Sequence, residues 1–241
     1  MRVTFDRRHM QALGGAVASR DEVPERGEIR DMLLGLDDDL PPAPFPATGL
    51  LGLDIHRHWS SEHRTCLWFP HRFNGYRVAE IYLRYGKSEH QIRAFRNLLP
   101  PTEDEPSDLG GFPAHVHLAM GLYYEGFFSQ LAVGPRAWLD LNHLVEALRG
   151  PSGGQLFSLL IGLDGAGYFL WWVRENERRI GDFQSAERLA EYLSACAGQD
   201  WLVIRRNRIS QDAVSVTTED LASEIGRLFP VFDPAARRRP P

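Results

Sequence analysis

Few residues in this chain combine a reactive type with a useful spacing, and the sharpest is Lys87, the only lysine among 27 Lys+Arg residues. It stands in Tyr85-Gly86-Lys87-Ser88, between a strand-like run and a helix-like one, where a phosphate-binding loop carries its lysine. The complete loop needs a glycine five residues before Gly86, so that backbone amides wrap the phosphate oxygens, and Ile81 holds that position. What remains is a helix start at which Lys87 and Ser88 face an anion. Arginine keeps its proton, so Schiff-base and lysine-base chemistry both depend on this one residue. The arginine preference elsewhere is that of a GC-rich coding sequence and carries no mechanism.

Two His-x-His pairs come next, His56 with His58 and His115 with His117. On a strand, residues two apart face the same way, so each pair presents two imidazoles to one side, a fair start for a transition-metal site. A third ligand is required. For the second pair Glu125 is the candidate, with His143, Asp54 and His63 as other available groups. The alternative is a strand with one solvated face, on which histidine alternates with Val116 and Leu118.

Other chemistries find no support. No serine sits in a Gly-x-Ser-x-Gly elbow, and Gly162-Leu163-Asp164-Gly165-Ala166-Gly167 reads as a turn between strands, with no helix behind it to bind a dinucleotide. Cys66 and Cys196 are too few for a disulfide framework and too isolated for a zinc pattern. No cofactor is expected. No run approaches the roughly 18 apolar residues of a membrane span, and the charged first residues lack an apolar stretch behind them, which predicts a cytoplasmic protein.

Two surfaces are left for binding. Between Ala47 and Leu99 lie eight basic residues against four acidic ones, although the whole chain carries a formal charge of -5. Arg57, Arg72, Arg84, Lys87, Arg93 and Arg96 form the candidate anion or nucleic-acid set, flanked by the acidic runs Asp37 to Asp39 and Glu103 to Glu105. The second candidate is a group of aromatics on two predicted hairpins: Tyr123, Tyr124, Phe127, Trp171 and Trp172. Alternation sends about half of them inward and leaves the rest for a protein partner or for stacked bases.

The elements that must carry these residues follow from periodicity and turn chemistry. Residues 24 to 36 have helical spacing, with Ile29, Met32, Leu33 and Leu36 on one face, and make an N-terminal helical appendage (1–46) that ends in the connector Pro41 to Pro46. A main domain spans 47–233. It opens with strands over 49–57, 63–70 and 75–85, the last two joined by a turn at Asn74-Gly75, and with a helix over 88–99 capped by Ser88. A long loop, Pro100 to Pro113, follows. Hairpins are expected around Glu125-Gly126 (114–123 with 127–133) and Asp164-Gly165 (156–163 with 167–173). Each is followed by a helix, one opening at Pro135 with Trp138, Leu141, Val145 and Leu148 inward, the other capped by Asp182 and ending at Gly198. A strand over 201–206 precedes a last helix with capping-box spacing at Thr217 and Asp220 and a stop at Pro230. Residues 234–241 form a basic, disordered tail.

The expected fold class is therefore α+β, an antiparallel sheet of hairpins with helices packed on one face. The function expected is that of a non-catalytic, soluble bacterial-type module that binds a protein partner or nucleic acid. The competing expectation is a metal-dependent hydrolase or nuclease using His115, His117 and Glu125.

Overall fold

The computed structural model describes residues 1–13, 23–40, 56–57, 65–67, 78, 80–87, 89–99, 114–172, 177–197 and 201–236, with backbone only at 56–57, 65–67 and 89–91. The described elements are β1 (Arg2–Asp6), α1 (Arg7–Gln11), α2 (Pro24–Asp38), β2 (His56–Arg57), β3 (Thr65–Leu67), β4 (Glu80–Gly86), α3 (Glu89–Phe95), β5 (His117–Tyr123) and β6 (Gly126–Val133). They continue with α4 (Trp138–Arg149), α5 (Gly153–Gly165), β7 (Phe169–Trp172), α6 (Ala186–Cys196), β8 (Leu202–Ile209), β9 (Ala213–Thr217) and α7 (Thr218–Ala235). A short 3₁₀ turn, Ile180–Phe183, precedes α6. None of these helices is long and apolar enough to cross a membrane.

The class is the expected α+β. Seven strands form an antiparallel sheet in the order β2-β4-β5-β6-β8-β7, with β3 also on β4, and β1 pairs with β9 in a separate two-stranded sheet. Helices α2, α4 and α7 pack on one face of the large sheet. Alternation sends Leu83, Leu118, Met120 and Leu131 to that face, and they join one apolar cluster running from Val3 and Phe5 to Ile225 and Phe232. Phe5 of β1 stacks on Phe127 of β6 at 6.5 Å between ring centroids, so the first strand is part of this core.

Local rules explain much of the element list. Pro24 begins α2, and Ile29, Leu33 and Leu36 are all fully buried on its inward face. Thr217 and Asp220 form the predicted reciprocal cap of α7. The two-residue turn Tyr124-Glu125 closes β5 onto β6, and Gly126 sits at φ +151°, where an added Cβ would meet the Arg208 carbonyl at 2.1 Å. Only glycine fits there without strain. The predicted pairing of the second and third strands is found as Cys66 opposite Tyr82, while the turn at Asn74-Gly75 lies outside the described residues, as do Ser88, Gly198, 41–50 and 100–113.

Several expectations are corrected. Residues 156–163 are not a strand but the interior of helix α5, because Leu156, Leu160 and Leu163 fall at helical intervals and bury together. Asp164-Gly165 is therefore the end of a helix. Its carboxylate accepts from the Ile180 backbone N–H at 3.1 Å, and β7 pairs with β8 instead. Ser185, not Asp182, caps α6, accepting from Arg188 N at 3.3 Å after the 3₁₀ turn. Helix α4 begins at Trp138 rather than Pro135, and Trp138 is exposed while Leu141, Val145 and Leu148 are buried. Pro230 does not stop α7, which runs to Ala235 because Val231, Phe232 and Ala235 are held in the core on either side of Pro234. Strand β8 extends to Ile209, and β1 and β9 were not foreseen.

Candidate functional site

Lys87 leaves β4 on the helix-bearing face, one residue beyond the strand. Its ammonium donates to Asp140 Oδ1 of α4 at 2.6 Å and to His115 Nδ1 at 3.0 Å, and it lies 4.4 Å from the Phe95 ring centroid. An ammonium carries no lone pair, so His115 Nδ1 is the acceptor and the ring proton sits on Nε2. The second Asp140 oxygen accepts from the Val116 backbone N–H at 2.9 Å. Burial alone would raise the Asp140 carboxyl, but the Lys87 charge and the hydrogen bond it donates outweigh that and hold it below the usual carboxylate range. All three side chains are buried. The cluster ties the first turn of α4 to the ends of β4 and β5.

The His-x-His pair does not act as one face. Strand β5 begins only at His117, so the alternation does not reach back to His115. The His115 ring packs edge-on to Phe95, whereas the His117 ring packs edge-on to Trp201. His117 Nδ1 donates to the His115 carbonyl at 3.1 Å, and burial pushes its pKa down to about 4, helped by the nearby Arg84 charge. Glu125 sits in the turn at the far end of β5, about 20 Å away along a strand of this length. The carboxylate that meets His115 is Asp140. Among the described residues no three His, Cys, Asp or Glu side chains gather in a way that would hold a metal ion.

The described members of the arginine set do not come together. Arg84 is buried on the sheet face opposite Lys87, as two positions three apart on an extended chain must be. Arg93 and Arg96 are exposed, Arg57 is described by its backbone only, and Arg72 lies outside the described residues. Arg205, which the sequence reading did not single out, occupies the middle of the face opposite the helices. Its guanidinium lies 4.1 Å from the Phe128 centroid and 4.9 Å from that of Tyr123, and it bonds Glu80 at 2.6 Å, Asn207 at 2.7 Å and Gln130 at 3.2 Å. A planar cation with several donors can stack and bond in this way.

The aromatics are equally engaged. Tyr123 and Phe127 are buried, and Trp171 and Trp172 are half-buried, with Trp172 edge-on to Tyr192. Burial pushes the Tyr123 phenol up to about 12, and among the described residues its hydroxyl finds no hydrogen-bond partner. Of the five aromatics named from the sequence, only Tyr124 is exposed, at 57%. On the helix side, Glu224 of α7 accepts from Ser129 at 2.7 Å and from Tyr168, while Arg206 and Arg227 reach its other oxygen at 2.7 and 3.1 Å. The aliphatic seam among Leu131, Leu144, Leu160, Leu189 and Ile204 has room for about one water molecule at most.

One surface stands apart from this interior bonding. Helix α5 buries Leu156, Leu160 and Leu163, and turns outward Gly154, Gln155, Ser158, Leu159, Ile161 and Gly162, with Phe157 half-buried at the border. Leu159 is 42% and Ile161 37% exposed, and from Gly153 to Leu163 the helix carries no charged residue. The outward side is uncharged and sets Leu159 and Ile161 beside Gln155, Ser158 and two glycines, a weaker polar face than most surface helices present. The sequence reading missed this face because it placed these residues in a strand. The spacing of Leu156, Leu160 and Leu163, followed by a full turn to Asp164, was the signal available. No protein-family model, curated protein or solved structure matches this chain.

Proposed function

We propose that this chain is a protein-interaction module without chemistry of its own, which receives an apolar helix on the outer face of α5. The observation that carries this reading is the exposure of Leu159 and Ile161 on a helix face that has no charge along about 16 Å of its length. The reactive side chains support it from the other direction. Lys87, Asp140 and His115 bond one another in the interior, and Arg205 and Glu224 anchor buried networks. An uncharged partner surface fits best, because a charged group set against Leu159 or Ile161 would be desolvated with nothing to bond.

A photo-cross-linking residue at Leu159, compared with the same residue at exposed Glu191 on α6, tests the reading in cells that make the chain. The expected result is a protein adduct from position 159 and none from 191. Absence of any adduct at 159, or equal labelling at both positions, overturns it.

A further inference from the structure

A chain with a single lysine concentrates its ε-amine chemistry at one atom, and here that atom is Nζ of Lys87, whose side chain is 0% exposed. We propose that Lys87 is a conditional modification site. An activated acyl donor, a thioester or an acyl phosphate, reaches the amine only when a small apolar cap lifts, and the acyl group then keeps that cap from closing. None of the residues involved lies on α5, so the site stands independently of the interaction face.

The closed state resists the reaction twice over. Nζ donates to Asp140 Oδ1 at 2.6 Å and to His115 Nδ1 at 3.0 Å, so it is held as an ammonium, which has no lone pair to attack a carbonyl. The Phe95 ring covers it as well, with the centroid 4.4 Å from Nζ.

That cover is a unit of its own. Phe95 joins Leu99, Ala114 and Leu139 in an apolar cluster that, among the described residues, is separate from the large core. Its ring also meets His115 edge-on at 5.3 Å. Helix α3, which carries Phe95, has seven residues, and Arg93, Arg96 and Leu98 along this stretch are exposed. A short helix held by a small satellite cluster opens at lower free energy than the whole fold. Helix α4, by contrast, is anchored in the large core through Leu141, Leu144, Val145 and Leu148. Lifting Phe95 and Leu99 therefore uncovers Lys87 while the sheet and α4 stay in place.

In the opened state the ammonium gives its proton to water and the amine lone pair attacks the carbonyl carbon of the donor. The N–C bond forms, and the bond from that carbon to its sulfur or phosphate oxygen breaks, with the electron pair leaving on that group. The product is a neutral amide. Asp140, 1% exposed, then loses the cation it met at 2.6 Å, and the added acyl carbons need volume that the Phe95 ring fills in the closed form. Both effects oppose closing. Acylation thus marks the copies that have opened and holds them open.

The test is acetylation of the full chain by sulfosuccinimidyl acetate, read by peptide mass spectrometry with a free lysine peptide in the same tube. Lys87 is expected to react about 100-fold or more below the peptide. Leu99→Ala, which trims the cap and touches neither Asp140 nor His115, is expected to raise the Lys87 rate about tenfold or more beyond any rise in the unfolded fraction measured in urea. If Leu99→Ala does not fold, Leu99→Val is read in the same way. Reaction at the rate of the peptide overturns the protection, and rates that follow the unfolded fraction alone in both chains overturn the cap. The holding step is read by amide exchange on the acetylated chain. Val116 N–H, which donates to Asp140 Oδ2 at 2.9 Å, is expected to exchange about tenfold faster after acetylation, while β6 and β8 keep their protection. Unchanged exchange at Val116, or protection lost throughout the sheet, overturns it.

Discussion

The Lys87 ammonium and the Asp140 carboxylate, 53 residues apart in sequence, meet at 2.6 Å with side-chain exposures of 0% and 1%. The pair makes Lys87 an internal tie between β4 and α4, with its donors directed to Asp140 and His115.

Removing one partner of such a pair leaves a buried charge without compensation. Lys87→Met is expected to cost about 3–5 kcal/mol in urea unfolding. The double variant Lys87→Met, Asp140→Asn is expected to recover at least half of that, since the amide oxygen still accepts from Val116 N–H while the buried charge is gone. Additive losses in the double variant would show that the two residues are not coupled.

His117 gives the stability a defined pH dependence. Its folded pKa is near 4 and its ordinary value 6.5, so above 6.5 it is neutral in both states. Between these values the unfolded chain binds a proton that the folded chain refuses, and stability falls as the pH drops. The loss attributable to this residue is about 3 kcal/mol between pH 6.5 and 4. Asp140, with its carboxyl held low, contributes stability above the ordinary carboxylate pKa that is lost only as the pH falls further, through its folded value. His117→Asn keeps a donor for the His115 carbonyl and is expected to flatten the wild-type slope across pH 6.5 to 4, measured by chemical denaturation at each pH. An unchanged slope would place the proton uptake elsewhere.

Around Glu224 the buried and exposed partners should separate. Tyr168→Phe removes a buried donor to the carboxylate and is expected to cost about 1–2 kcal/mol. Arg227→Ala removes a half-exposed ion pair and is expected to stay within about 0.5 kcal/mol of wild type. Equal effects in a thermal or urea melt would contradict this ordering.

Two glycines should respond in opposite ways. Gly126→Ala forces a side chain onto the Arg208 carbonyl at a φ of +151° and is expected to destabilise by at least about 2 kcal/mol. Gly162→Ala stands in open space on a helix and is expected to stabilise the fold by about 0.5–1 kcal/mol.

What the sequence determined by itself is local. The Thr217–Asp220 cap, the Pro24 start with its Ile29, Leu33 and Leu36 stripe, and the Glu125-Gly126 hairpin each depend on residues a few positions apart, whose backbone geometry and hydrogen bonds are fixed by neighbours. The antiparallel α+β class followed from summing such units. Residues 153–165 lay beyond that reach, because an aliphatic run broken by glycines satisfies a strand or a helix equally until Leu156, Leu160 and Leu163 find a surface to bury against. The candidate sites lay further still. His115 and His117 look paired in sequence and are separated by where β5 begins, Lys87 finds Asp140 across 53 residues, and Arg205 finds Glu80 across 125. Burial and long-range pairing depend on which faces the whole chain brings together, and that was decided only by the tertiary structure, since no local rule sets which distant surfaces exclude water from each other.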